Sequence, residues 1–394
     1  MSHVDQSDIC HECGLNVHVP ALIENQQANC PRCDYVLTAK HINASARILA
    51  FSISAIIFLA ASLNFDFLTF KASGIEVHID MFASATILIE HGYVILAIIE
   101  VITIFIVPFI ILFCLLYLLF FIHRKTYPPK GKQVLAVLFF LVPWSMAEIF
   151  LIGTLVSLIK ISALADIGLG LSFYAYILFS LSITAALLHL DKRQLYQKID
   201  DVYLHQQSQQ SLLSEPCTKN KHTNTKGPHN SIQQTWALLL TSVVFYIPAN
   251  MLPIMNTRLL GQDDPSTIIG GIILLWNHGS YPIAIVIFIA SVLVPVSKIL
   301  ILAWLTYSVQ TGSTSLTTER IKLYRWAEFV GRWSMVDIFV VIILVSLVQL
   351  GNIMTILPGA ATLAFSGVVV ITMIAAMRFD STLIYNNMST YEPK

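Results

Sequence analysis

Long apolar runs alternate with short polar segments along this chain. "VILAIIEVITIFIVPFIILFCLLYLLFFI" (Val94–Ile122) contains one acid and no base. About 20 apolar residues suffice for a helix to cross ~30 Å of hydrocarbon. Backbone facing lipid without internal hydrogen bonds costs several kcal/mol per polar group, so such runs must be helical. The pattern predicts eight spans, at about 46–64, 93–122, 133–159, 168–189, 234–255, 281–308, 334–356 and 359–378. Composition agrees: 56% of residues are hydrophobic and 12% charged, against roughly 25% charged in a soluble domain. Residues 1–40 are polar and lack the basic start and apolar core of a cleavable signal, so none is expected.

Charge sets the orientation. Arg124, Lys125, Lys130 and Lys132 follow the second span. Lys192, Arg193 and Lys198 follow the fourth, and Arg320, Lys322 and Arg325 the sixth. The opposite loops, 65–92 and 256–280, carry only Lys71 and Arg258. Basic short loops stay inside, which predicts a multi-pass membrane protein with both termini cytoplasmic. Net charge is zero and no basic tract occurs, so no nucleic-acid partner is expected.

The chain also repeats. A shift of 187 brings "EHG" (Glu90–Gly92) onto "NHG" (Asn277–Gly279), and Val107–Pro108 onto Val294–Pro295. A shift of 189 brings "WSMAEIF" (Trp144–Phe150) onto "WSMVDIF" (Trp333–Phe339), and Asp191 onto Asp380. Trp, His, Pro and acidic residues matching in one order indicate duplication. Each copy has an even number of spans, so the copies are parallel. The fold class is therefore an all-α polytopic membrane protein, two tandem four-helix modules with a small zinc ribbon ahead of them. The expected division is ribbon 1–42, first module 43–190, linker 191–232, second module 233–380 and tail 381–394. The linker, rich in Gln, Ser and Asn, is expected to be flexible. It holds the place of a second ribbon, but Cys217, His205, His222 and His229 are a weak ligand set.

The ribbon rests on "CHEC" (Cys10–Cys13) and "CPRC" (Cys30–Cys33). Paired C-x2-C motifs in a reducing compartment read as metal ligands, with disulfides or a redox pair as the other readings. Four thiolates close a tetrahedral shell, so one structural Zn2+ at Cys10, Cys13, Cys30 and Cys33 is expected, without catalytic chemistry. Two knuckles on short hairpins, over residues 8–38, should carry it. No phosphate loop appears, and the chain is not expected to be an enzyme.

Ionisable residues inside spans are costly and default to functional candidates. They are Lys298, Asp337, Glu148 (the repeat mate of Asp337) and Glu100. Lys298 and Asp337, on adjacent spans, are expected to pair through snorkelling of the lysine. Pro108 and Pro295 should kink their spans. Pro248 and Pro253 flank Asn250, and should expose carbonyls that Asn250 or a ligand then bonds. His91 and His278 sit at helix starts.

A four-Cys ribbon before a doubled four-span unit, with "YIPANMLPIM" (Tyr246–Met255), "VPVSKILIL" (Val294–Leu302) and "GRWSMVDIF" (Gly331–Phe339), resembles the paraquat-inducible protein A family. The family usually carries a ribbon before each module, and here the second ligand set is missing. The resemblance implies a bacterial inner-membrane subunit of a lipid transport system, loading or extracting phospholipid at a periplasmic mammalian-cell-entry (MCE) domain partner. Read from the residues themselves, Lys298, Asp337, Glu148, Asn250, Pro295 and Glu100 are the candidates for a transport site. A zinc- or redox-responsive membrane regulator of envelope stress is the alternative.

Overall fold

The computed structural model describes residues 6–20, 22–40, 42–72, 75–161, 166–210, 228–259, 262–277, 279, 281–312, 317–348 and 354–386. Two hairpins open the chain: β1 (Gln6–Ile9) with β2 (Asn16–Val19), and β3 (Gln27–Asn29) with β4 (Val36–Ala39). These are the two expected knuckles. The first module follows as α1 (Ala44–Ser62), β5 (Leu68–Ala72), β6 (Ile75–Ile79), α2 (Ala83–Glu90), α3 (Val94–Val101), α4 (Val107–His123), α5 (Gly131–Leu141), α6 (Ala147–Ile161), β7 (Asp166–Leu169) and α7 (Leu171–Leu188). α8 (Lys192–Gln210) leads toward the second module. That module comprises α9 (Pro228–Met251), β8 (Met255–Leu259), β9 (Gln262–Ser266), α10 (Ile268–Asn277), α11 (Tyr281–Phe288), α12 (Val294–Gln310), α13 (Thr317–Trp333), α14 (Val336–Leu347), β10 (Met354–Pro358) and α15 (Ala360–Arg378). A short α16 (Leu383–Asn386) follows.

Eight helical segments are long and apolar enough to cross a membrane, among them Ala44–Ser62, Val94–His123, Ala284–Gln310 and Ala360–Arg378. Their number and order match the expectation, and the chain is a multi-pass membrane protein. The two modules repeat in packing as well. α1 packs most extensively on α7, as α9 does on α15.

The expected kinks take the form of widened turns. Residues 102–106 and 289–293 are π-helical, each directly before the Val–Pro pair. Val107 N–H bonds Ile102 C=O and Val294 N–H bonds Ile289 C=O, five residues back. A proline supplies no N–H and its ring crowds the carbonyl four residues earlier. A π turn relieves that crowding by inserting one residue.

Three expectations need revision. The third span is divided, and the seventh, expected at 334–356, instead runs Thr317–Leu347 and is divided as well. α5 and α6 meet at a 3₁₀ turn, Val142–Trp144, where Pro143 lacks the N–H an α-helix needs. α13 and α14 meet at Ser334–Met335, and helix ends at Leu347 instead of 356. With 12 residues, α14 is about 18 Å long. It is buried along its whole length, from Ser334 to Val348. A helix apolar on all sides belongs inside a protein, and α14 lies at the centre against α6 of the other module. Secondly, the far-side loops fold into antiparallel sheets ordered β6-β5-β7 and β10-β8-β9. Thirdly, the beginning of the linker is not flexible: α8 packs on α5 and β4. Lys132 pairs with Asp200 at 2.8 Å, and Tyr127 stacks edge-on to Tyr203. Cys217 and His222 lie outside the described residues.

The sheets anchor the modules identically. Gly170 N–H bonds Phe67 C=O at 3.1 Å, and Gly359 N–H bonds Ile254 C=O at 2.8 Å. These pairs match under the repeat. Glycine is required at both: a Cβ on Gly170 would lie 1.9 Å from Asp66 O, and one on Gly359 2.0 Å from Pro253 O.

Candidate functional site: a four-cysteine centre and two membrane cavities

The knuckles are copies of each other. Cys10 N–H bonds Leu15 C=O and Gly14 N–H bonds Cys10 C=O; Cys30 and Asp34 repeat both bonds with Tyr35 and Cys30. Each turn needs positive φ after its second cysteine, met by Gly14 at 70° and Asp34 at 55°. Glycine and aspartate are suited to that region. The turns bring four buried cysteines together, with Cys10 Sγ–Cys33 Sγ at 3.7 Å and Cys13 Sγ–Cys30 Sγ at 3.5 Å. All four ligand atoms lie within 4.8 Å of one another. Tetrahedral sulfurs about 2.3 Å from a metal stand about 3.8 Å apart, so the set fits a divalent ion. Burial pushes the Cys33 thiol up to about 11. A cation would displace that proton.

The ribbon grips both modules. Asp191, at the end of the fourth span, caps α8 with Oδ1, which accepts Arg193 N–H at 2.8 Å. Its Oδ2 accepts Thr38 Oγ1 at 2.6 Å and Ala39 N–H at 2.8 Å from the ribbon. From the second module, Arg325 Nη2 donates to Cys33 C=O at 3.1 Å, and its Nε lies 3.8 Å from Glu12. Burial raises the Glu12 carboxyl above the usual range, with Arg325 opposing it. The Arg32 guanidinium lies over the Tyr385 ring at 3.9 Å.

A cavity of about 530 Å³ lies within the second module, between α10, α11, the β8–β9 hairpin and α14. Its walls are mainly apolar, including Ile268, Leu274, Ile287, Val341 and Leu344. Asp337 lies in its wall and accepts a hydrogen bond from Ser291 at 2.6 Å. Ser291 belongs to the π turn before Pro295. The aspartate's environment is thus set by the widened turn that the proline imposes.

The expected pairing of Lys298 with Asp337 is not what the structure has. Lys298 lines a separate cavity of about 300 Å³ with Arg325, Glu328 and Arg332. Its side chain passes over Gly331, where a Cβ would lie 2.4 Å from Nζ. The lysine reaches toward the ribbon end and Asp337 faces the opposite cavity. The depth of each residue was legible in the sequence; the direction of its side chain was not.

The other candidates are dispersed. Glu148 is exposed and accepts from Thr184 at 2.6 Å, whereas its repeat mate Asp337 is buried. Glu100 is 1% exposed and accepts a hydrogen bond from Ser84. Asn250 Nδ2 donates to Tyr246 C=O at 2.9 Å, one turn back in α9. The carbonyls of Pro253 and Ile254 are used internally, by Ala361 N–H and by Gly359 N–H with Thr362 Oγ1. His91 Nδ1 lies 2.8 Å from Ile87 O, and His278 lies outside the described residues.

Sequence reasoning passed over Ser291, Glu328 and Arg332. Serine is common in spans, and residues 317–333 read as a basic loop. Their 3.6-residue periodicity, with Ile321, Tyr324 and Ala327 buried on one face, was the available signal.

The paraquat-inducible protein A family profile matches residues 45–200 and 232–389. The chain is 38% identical to the intermembrane transport protein PqiA of Escherichia coli strain K12, over 99% of this chain and 98% of that protein. It is 29% identical to a probable intermembrane transport protein of Haemophilus influenzae, over 95% of each. It is 26% identical to the lipophilic envelope-spanning tunnel protein A of Escherichia coli, over 96% of this chain and 90% of that protein. No solved structure matches.

Proposed function

The chain belongs to the paraquat-inducible protein A family, and from that premise we propose that it is the inner-membrane subunit of an intermembrane lipid transport system. In this reading it loads or extracts phospholipid at a periplasmic MCE-domain partner and has no enzymatic step of its own. The observation that carries the reading is the cavity of the second module, about 530 Å³ and apolar-walled, with the Ser291–Asp337 pair in contact with it. Apolar walls suit an acyl chain, and a few polar groups suit the ester or headgroup end. α10 keeps apolar residues exposed at its outer side, including Ile269, Ile273 and Trp276. A lipid could enter past such a helix without crossing a polar surface.

The basic segments 124–132 and 192–198 lie at the ribbon end, which supports a cytoplasmic ribbon and cytoplasmic termini. The two sheets then face the periplasm, where the partner would dock. Cys10, Cys13, Cys30 and Cys33 hold one structural Zn2+. The domain division is ribbon, module, linker, module and tail, with α8 a fixed part of the linker. Reporter fusions at residue 215 and at the C-terminus should read cytoplasmic, and a cysteine introduced at residue 75 should label from the periplasm. A periplasmic reading at residue 215 would overturn this topology.

The cavity itself is tested at Gly271, where an added Cβ meets nothing within 4 Å. Gly271→Trp should place a ring in the cavity without displacing backbone. The expected result is normal membrane abundance, a several-fold loss of co-purifying phospholipid, and failed complementation of an envelope-lipid defect. Full complementation with an unchanged lipid complement would refute the cavity as the lipid site.

A further inference from the structure

We propose that the second cavity, at the ribbon end of the second module, is a binding site for a phosphate-bearing anion, the phosphodiester headgroup of an inner-leaflet lipid. Lys298 is 3% exposed and lines this cavity. The opposing charge acting on it is that of Glu328. Arg325 and Arg332 line the same space, with Glu328 as the one acid in its wall. Arg325 is also shared with Glu12 of the ribbon. Among the described residues three cations therefore face two acids, an excess of one positive charge beside low-dielectric walls. Such a charge is costly. A monoanionic phosphodiester would neutralise it and accept hydrogen bonds from the guanidinium groups, whose planar geometry suits phosphate oxygens.

The cavity is shaped for the lysine. Gly331 leaves the notch that Nζ occupies, since a Cβ there would lie 2.4 Å from the amine and the lysine would have to shift. The remaining walls are Val142, Pro143, Phe329, Met373 and Met377. An apolar wall beside a cationic pole fits an amphiphile better than a free ion. Phe329 is 55% exposed, so the apolar side is open at the edge of the helix bundle. Val142 and Pro143 come from the first module, so an occupant would contact both modules and, through Arg325, the ribbon.

The inference does not depend on the transport reading, because its readout is binding. The test is calorimetric titration of the full chain in neutral detergent with dihexanoyl phosphatidylglycerol, with dihexanoylglycerol, which lacks the phosphate, and with inorganic phosphate. Arg332→Gln should weaken phosphatidylglycerol binding about tenfold or more, as expected for loss of a charge-assisted contact. Glu328→Gln should tighten it several-fold, because an acid in the wall repels the ligand. A merely structural charge cluster would not give that gain. Binding of inorganic phosphate with the same sensitivity to both variants would support the anion site and assign its occupant to soluble phosphate. Binding of the phospholipid alone would assign it to the lipid headgroup. Equal affinity for phosphatidylglycerol and dihexanoylglycerol, or binding unmoved by both variants, would overturn the proposal.

Discussion

Single residues decide where the chain can close on itself. Gly170 and Gly359 sit where the last span of each module crosses the carbonyl end of the first, with room for a hydrogen atom only. Gly359→Ala would force a methyl group against Pro253 O, which is backbone and cannot move aside. Overpacking of this kind costs about 1–3 kcal/mol. Gly359→Ala should lower the thermal midpoint of the purified protein, and Gly170→Ala should do the same in the first module. An unchanged midpoint in both would mean the sheets yield more readily than their hydrogen bonds suggest. The four clustered cysteines, which could hold a metal ion, act at the same scale. Cys30→Ser should reduce bound zinc from one per chain to near zero by elemental analysis. A normal zinc content in that variant would remove Cys30 from the ligand set.

Elements carry the contact between modules. α6 and α14 cross at the centre, with Gly153 facing Phe339 and Val336. A Cβ on Gly153 would approach Phe339 Cβ to 3.0 Å. Ser157 Oγ lies 3.2 Å from Val340 O on the same contact, and Phe150 meets Phe339 edge-on. Gly153→Leu should wedge these helices apart. The expected signature is a loss of about 1–3 kcal/mol of stability and a cysteine crosslink between positions 157 and 340 that forms more slowly than in the parent. An equally fast crosslink would show that the helices do not meet at Gly153. The short, divided spans explain why this contact forms: α14 needs no lipid-facing side, because the outer helices cover it.

At the scale of the whole molecule the ribbon is a clasp. It takes Asp191 from the start of the linker behind the first module and Arg325 from the second module, and places Arg32 on Tyr385 near the chain's end. A unit of about 30 residues has too little core to fold without a bound metal, and the proposed zinc would supply it. Chelation should therefore release the ribbon while the spans stay folded. Hydrogen exchange should rise over residues 27–39 and at α8 near Asp191, and stay unchanged in α14. Exchange rising equally in α14 would show that the clasp holds the entire bundle together, not its ribbon end alone.

Much of this was fixed by sequence. Long apolar runs in water-free surroundings leave the backbone no alternative to helix, so the eight spans and their order were legible. Ligand spacing in the two knuckles dictated the cysteine cluster, because a C-x2-C turn is a local structure. The duplication was legible because its marker residues recur at a constant shift. Only the tertiary structure decided the rest. Lys298 and Asp337 lie on neighbouring spans, yet the Gly331 notch turns the lysine one way and Ser291 in its π turn receives the aspartate the other. The repeat gave Glu148 and Asp337 equivalent places, and packing exposed one and buried the other. Hydrophobic periodicity measures how apolar a surface is, not which neighbour covers it. Two copies of one module can therefore share every span and still differ in which polar groups face a cavity.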